Sequence, residues 1–344
     1  MTKKFDVVIG NPPYQEEAEG TSTRDNPIYH LFMDAAYEVG EKVVLITPAR
    51  FLFNAGQTPK SWNEKMLADP HLSVAFYTPD GNDLFPGADI KGGIAVTYRD
   101  SSRKSEPIGT FSQHAEINSI LNKVHDQQDG SLASSVSSSS AYRWTQAMHD
   151  DHPDATAVMS KSSQFKVNTN AFDQLPFLFH HEKPTDEKQY LKLLGLIKNR
   201  REYRWVLARY IQGPPSLSAF KVAVAKANGA GRFGEILSTP LVLGPSSGTT
   251  QSFITIGNFR SYHEAEGCLR YVKSKFARAM LSVLKTTQDN PARVWKHVPL
   301  QDFTNDSDIK WTRPIPEIDQ QLYAKYGLND EEIEFIETRV KPMN

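Results

Sequence analysis

Hydrophobic positions in the first hundred residues switch between two rhythms. Phe5–Ile9 is a short apolar run of strand length that ends in Gly10-Asn11-Pro12-Pro13-Tyr14. Across 28–39, Leu31, Phe32, Ala35, Ala36 and Val39 recur with the period of an amphipathic helix. Residues 42–47 (KVVLIT) are apolar almost throughout, which predicts a strand buried on both faces. A helix is expected over 61–67, with further strands at 72–77 and 93–98. Strands alternating with helices imply a parallel sheet whose faces are covered.

Beyond residue 110 the pattern changes. Ser131–Ala141 is nearly all serine and reads as a flexible loop or linker, preceded by a short helix near 117–124. Residues 189–197 are amphipathic, and 198–205 mix cations with aromatic rings. Strands are expected at 220–225 and 252–257. Ala265, Leu269, Val272, Phe276, Met280 and Leu284 predict one long helix over 263–284. A last helix is expected near 330–340, with Asn329 as its N-cap. These shifts divide the chain into 1–110, 111–182, 183–300 and 301–344.

Composition narrows the class. Hydrophobic content of 39% and charged content of 23% are ordinary for a globular protein. No apolar run is long enough to span a membrane, and the N-terminus lacks the apolar stretch of a signal peptide. The single cysteine, Cys268, excludes an internal disulfide framework and a zinc cluster of cysteines. A cytoplasmic location is expected from it. Net charge is −1, but residues 183–296 carry 19 basic against 7 acidic side chains. Such a segment suits phosphates. Lys198, Arg200, Arg201 and Arg204 form its densest patch, and Lys221, Lys226 and Arg232 flank a glycine-rich loop. All seven are candidate DNA contacts.

Asn11-Pro12-Pro13-Tyr14 carries the chemistry. An exocyclic adenine amine is a poor nucleophile because its lone pair is delocalised into the ring. Two fixed, neutral acceptors for its N–H groups favour an sp³-like nitrogen; an Asn amide carbonyl and a backbone carbonyl meet that need. Proline fixes φ and removes a competing donor. A neighbouring ring stacks on a base that has left the duplex.

An apolar strand running into this motif resembles the catalytic motif of amino-group DNA methyltransferases, of the adenine-N6 kind found in restriction–modification systems. Residues 26–32 and 44–52 resemble the next helix and strand of that domain, and 85–93 a later loop near the base pocket. The stretch from Trp295 to Trp311, with 318–323, is similar to the C-terminal part of methylases that carry their own specificity domain. The resemblance implies an α/β fold: the C-terminal half of a Rossmann-like methyltransferase sheet, followed by an α+β target recognition domain over 183–300. It implies that Asn11, Pro12, Pro13 and Tyr14 are catalytic, and that Phe85, Lys91, Gly92 and Gly93 form the opposite wall of the base pocket. It also implies double-stranded DNA as partner and S-adenosylmethionine as methyl donor.

In that family a glycine-rich turn and acidic strand ends bind the donor, and they precede the catalytic strand. Here four residues precede Phe5. The donor site is therefore expected to be incomplete, with the cofactor-binding half supplied by a missing N-terminal part or by a second polypeptide. The alternative is an inactive DNA-binding module of the same lineage. Gly229–Gly234 fits G-x-G-x-x-G after a predicted strand, but the residues after it do not read as the required helix. A hairpin or a phosphate-touching loop is the better reading. No metal-ligand spacing, Walker A motif or nuclease motif is expected.

Overall fold

Half-buried Val8 and Gly10 alternate with exposed Val7 and Ile9 in the first strand, β1 (Phe5–Gly10). It joins β2 (Gly40–Pro48), β3 (Leu72–Thr78) and β4 (Ile94–Asp100) in a sheet of order β1-β2-β4-β3. This is a computed structural model that describes residues 4–16, 26–54, 57–86, 90, 93–127, 130–285 and 287–343. Its two compact units divide between Asn118 and Ser119. No helix among the described residues is long and apolar enough to cross a membrane.

In the first unit, β1 and β2 are parallel, with Val8 beside Val43 and Gly10 beside Leu45. β4 is antiparallel to both β2 and β3, so the expected all-parallel sheet is mixed. The described connection from β3 to β4 holds only a single 3-10 turn, Gly81–Asp83. Without a crossover helix, consecutive neighbouring strands return antiparallel.

One face of the sheet is covered by α1 (Tyr29–Val39) and α2 (Lys60–Leu67). There Tyr29, Met33, Tyr37, Trp62 and Met66 pack with Val43, Leu45 and Ala95. The buried face of α1 is thus the 29/33/37 stripe. Leu31 and Phe32, part of the apolar stripe that predicted the helix, are exposed. Among the described residues, the apolar side chains of the other sheet face are exposed or half-buried. Ile9 lies beside Val44, Ile46 beside Val96, and Val96 beside Phe76. Val7 is 52%, Ile9 76% and Phe76 46% exposed. The expectation that β2 is buried on both faces is therefore corrected. Among the described residues, β1 has a neighbour on one side only.

The second unit begins at Ser119, inside the segment 111–182. Its serine-rich stretch is built into the fold, not a flexible linker. The Leu132 amide donates to the Val298 carbonyl at 2.8 Å, and β5 (Val136–Ser137) pairs with a strand of a four-stranded sheet. Buried Leu132 and Tyr142 anchor its ends, a contribution that serine content conceals.

β6 (Tyr190–Ile197) and β7 (Arg200–Leu207) form an antiparallel hairpin, joined by left-handed Lys198 and Asn199. β8 (Phe220–Ala225), β9 (Leu241–Leu243), β10 (Ser247–Thr249) and β11 (Phe253–Phe259) complete two sheets, ordered β7-β6-β10 and β9-β8-β11-β5. Leu194 of β6 packs with Ala223, Leu243 and Phe253, which ties the sheets together.

After α3 (Ala115–Gln127), the single long helix expected over 263–284 is two: α4 (Tyr262–Lys273) and α5 (Lys275–Ser282). Ser274 at ψ 152° ends the first, and its hydroxyl accepts from the Ala277 amide to cap the second. α6 (Ile315–Lys325) and α7 (Asp330–Arg339) follow, and the Asn329 capping box stands as expected. Cys268 is buried in α4, and burial pushes its thiol pKa well up.

Candidate functional site

The parallel strands β1 and β2 deliver two turns to the same end of the first sheet. Ligands in open α/β sheets collect outside the carboxyl ends of such strands. Asn11 to Tyr14 leave β1 here, and Pro48 and Arg50 lie at the end of β2. With Gln15, Pro27, Tyr29 and Ile90 they line a cavity of about 450 Å³. Asn11 and Pro13 are exposed, while Pro12 and Tyr14 are half-buried.

Hydrogen bonding and packing hold these walls. The Ile28 amide donates to the Tyr14 carbonyl at 3.1 Å, and residues 15–16 pair with 26–27. Tyr29 is 2% exposed and touches Phe51 and Trp62 ring to ring, at centroid distances of 6.3 Å. Trp62 donates to Asp34 at 3.0 Å, fixing α2 against α1. Burial raises the Tyr14 pKa and pushes Tyr29 up to about 12. Both phenols therefore stay protonated at neutral pH. The Tyr14 hydroxyl is shielded from solvent without a hydrogen-bond partner among the described residues. Such a group is costly unless a ligand satisfies it.

The opposite wall differs from expectation. Ile90 lines the cavity; Phe85 is half-buried and outside the lining. Gly93 is a backbone device: its φ is +81°, a Cβ there would stand 2.1 Å from the Thr78 carbonyl, and its own carbonyl accepts from Ala49 at 3.0 Å. Lys91 and Gly92 lie outside the described residues. Sequence reasoning passed over Gln15, Pro27, Tyr29, Pro48, Arg50 and Ile90. One signal for two of them was present: Pro48-Ala49-Arg50 directly follows a strand that predicts a parallel neighbour for β1.

The Gly229–Gly234 loop is closed by the protein itself. Glu235 accepts from the Ala230 amide at 2.9 Å and the Gly231 amide at 3.0 Å. Lys285, 3% exposed, donates to Glu235 at 2.6 Å. A Cβ at Gly229 would stand 2.2 Å from the Glu235 carboxylate, and one at Gly234 would strike the Arg339 carbonyl at 2.4 Å. These glycines admit internal groups, so the backbone donors that would cradle a phosphate are already used. Burial raises the Glu235 pKa, but the Lys285 ion pair and the two amides outweigh it and hold the carboxyl below its usual range.

The candidate DNA contacts separate by exposure. Lys198, Arg200, Lys226 and Arg232 are exposed. Arg201 donates to the Ser238 carbonyl at 2.8 Å and lies 5.6 Å over the Phe253 ring. Arg204 is paired with Glu202 at 2.9 Å and its side chain is 12% exposed. Lys221 cannot reach a phosphate. It is fully buried, its ammonium donates to the carbonyls of Ser216, Ala219 and Gly244, and burial pushes its pKa down to about 8. β8 is buried on both faces from Lys221 to Val224, so Lys221 meets the interior. No group of three or more His, Cys, Asp or Glu among the described residues is placed to hold a metal.

Residues 1–85 match the model of the Eco57I restriction-modification methylase family. An "uncharacterized adenine-specific methylase" of Mycoplasma pneumoniae is 33% identical over 95 residues, covering 26% of this chain and 22% of that protein. The chain thus spans about a fifth of that curated relative. The type IIG restriction endonuclease BpuSI overlays 97% of the chain on 53% of its own, at 10% identity and TM-score 0.34. The type IIL restriction-modification enzyme MmeI, solved with DNA, overlays 97% on 56%, at 11% identity and TM-score 0.35. The N-terminal quarter of this chain is therefore similar to restriction–modification methylases.

Proposed function

We propose that the chain is the catalytic and specificity portion of a site-specific DNA methyltransferase that methylates the N6 amine of an extruded adenine. The observation that carries this reading is the cavity at the shared end of β1 and β2, walled by the Asn11–Tyr14 turn. In it, the Asn11 side-chain carbonyl and the Pro12 backbone carbonyl accept the two amine N–H groups. Pro13 holds the turn rigid and the Tyr14 ring stacks on the base. The second unit binds duplex DNA through Lys198, Arg200, Lys226 and Arg232, which supply affinity without base choice.

S-adenosylmethionine would supply the methyl group. The described lining residues do not fit it: they include no carboxylate for the ribose hydroxyls and no glycine turn for the methionine moiety. The G-x-G-x-x-G loop is filled by Glu235. The pocket residues serve the adenine side of the reaction. The edge of β1, unpaired among the described residues, and the exposed Val7, Ile9 and Phe76 support a further N-terminal part or a second polypeptide that extends the sheet and supplies the donor site, since such surfaces are normally covered.

The same lack of fit favours a second reading, a DNA-binding module that transfers nothing. Calorimetric titration with S-adenosylmethionine, paired with labelled methyl transfer to duplex DNA, separates the two. N6-methyladenine formed by the chain, alone or with its companion, is the expected result. DNA binding with no methyl transfer in either setting would establish the second reading.

A further inference from the structure

Arg50 is the one charged side chain among the described residues that line the cavity. The adenine base is neutral, so the base-recognition chemistry gives a guanidinium there no role. It follows β2 in a short 3-10 turn, Ala49–Phe53, whose Ala49, Phe51 and Leu52 are buried. The Ala49 amide is tied to Gly93 at 3.0 Å and the Asn54 amide to Phe51 at 3.1 Å. Arg50, half-buried between two anchored neighbours, is presented at the cavity by a fixed backbone. The Arg50 charge also acts on the buried Tyr29 hydroxyl across the same wall.

A nucleotide lifted out of a duplex stays attached through a phosphodiester on each side. A base seated against Asn11 and Tyr14 therefore brings an anion to the rim of the cavity. The planar fork of arginine matches phosphate oxygens in a bidentate pair, which a lysine cannot reproduce. The sulfonium of the methyl donor is a cation and gains nothing from Arg50. We propose that Arg50 holds a phosphate flanking the extruded deoxyadenosine. It is a binding residue that fixes the depth and angle at which the base enters. The proposal rests on the adenine-pocket reading.

The probes are deoxyadenosine, its 3′- and 5′-monophosphates, and the corresponding methyl methylphosphonate diesters, which carry no charge, titrated against the full chain by NMR or tryptophan fluorescence. One of the two monophosphates should bind about tenfold or more tighter than the nucleoside, as expected for a charge-assisted contact. The methylphosphonate should bind the wild-type protein like the nucleoside. Arg50→Gln should erase the preference and leave the nucleoside affinity unchanged, while Arg50→Lys should keep part of it. Equal wild-type affinities for nucleoside and both monophosphates would overturn the proposal. So would a preference that survives Arg50→Gln, or a loss of S-adenosylhomocysteine binding in that variant, which would assign Arg50 to the donor's carboxylate. Asn11→Ala should weaken all three adenine probes alike. Equal binding of thymidine monophosphate with the same Arg50 dependence would keep the phosphate contact and remove the adenine reading.

Discussion

Two loops of this protein carry signatures of ligand binding, and they end in opposite states. The Asn11–Tyr14 turn opens onto a cavity and leaves a shielded Tyr14 hydroxyl without a partner among the described residues. The Gly229–Gly234 loop matches a more widely used pattern, yet its amides are satisfied by Glu235, which is neutralised in turn by Lys285. A motif names the groups a ligand would need. Whether the fold has already used those groups decides if a ligand can come. The glycines at 229 and 234 have a positive φ in both a phosphate loop and an internal turn, so the sequence pattern is the same for each.

The comparison breaks most strongly at the closed loop. Glu235→Ala leaves the buried Lys285 ammonium with the Asn228 and Thr287 carbonyls but no counter-charge, and takes the acceptor from the Ala230 and Gly231 amides. Removing one partner of a buried pair costs about 3–5 kcal/mol, so a clear fall in the urea midpoint is expected. A variant within about 1 kcal/mol of wild type would mean the loop is not held by its own carboxylate. Asn11→Ala makes the opposite cut. Asn11 is exposed, so stability should hardly change. Loss of one preorganised acceptor should slow methyl transfer in a completed enzyme by about 10²–10³-fold, with DNA affinity retained. Undiminished transfer would remove Asn11 from the chemistry.

What the sequence disclosed follows the same division. The strands β1 to β4, β8 and β11 and the Asn329 cap were legible because each depends on neighbours a few residues away, whereas the β6–β7 hairpin was not read as strands. The Asn11–Tyr14 turn was legible because its function resides in one contiguous run. Arg50 was not, because its place beside Asn11 exists only through the parallel pairing of β1 with β2. The exposed stripe of α1 misled for a related reason. Tyr29 and Tyr37 count weakly in a hydrophobic period, yet they and Met33 form the buried face. Ser274 breaks the long helix although apolar periodicity runs straight through it, because a side-chain cap outweighs one more turn. Lys221 shows the limit of charge counting: a lysine on β8 carries the same formal charge whether it meets water or three carbonyls.

A third loop sharpens the contrast at smaller scale. The hairpin tip at Lys198–Asn199 is open, and Arg200 beside it is exposed, whereas Arg204 on the same strand is already paired with Glu202. Lys198→Ala with Arg200→Ala should weaken binding to every duplex alike and lower the salt slope by about 2, one for each phosphate that is no longer neutralised. Arg204→Ala should leave the slope unchanged. A slope that follows Arg204 instead would mean DNA breaks its ion pair with Glu202.

Acid gives the mildest way to open the closed loop. The folded-state pKa of Glu235 is depressed, because the Lys285 ion pair and the two amides outweigh its burial. A depressed carboxyl binds fewer protons folded than unfolded, so its contribution is fully present above the ordinary carboxylate value of about 4.5. That contribution is lost as pH falls below this value through the folded pKa. Urea midpoints measured from pH 6 down to pH 3 should therefore fall for wild type in this window, and the fall should be shallower in Glu235→Gln, which keeps the shape and cannot titrate. The Asn11–Tyr14 turn has no acid of its own, so binding of deoxyadenosine to the folded chain should not track that loss. If the Glu235→Gln curve parallels wild type, the carboxylate does not close the loop by its charge, and the two loops differ in shape alone.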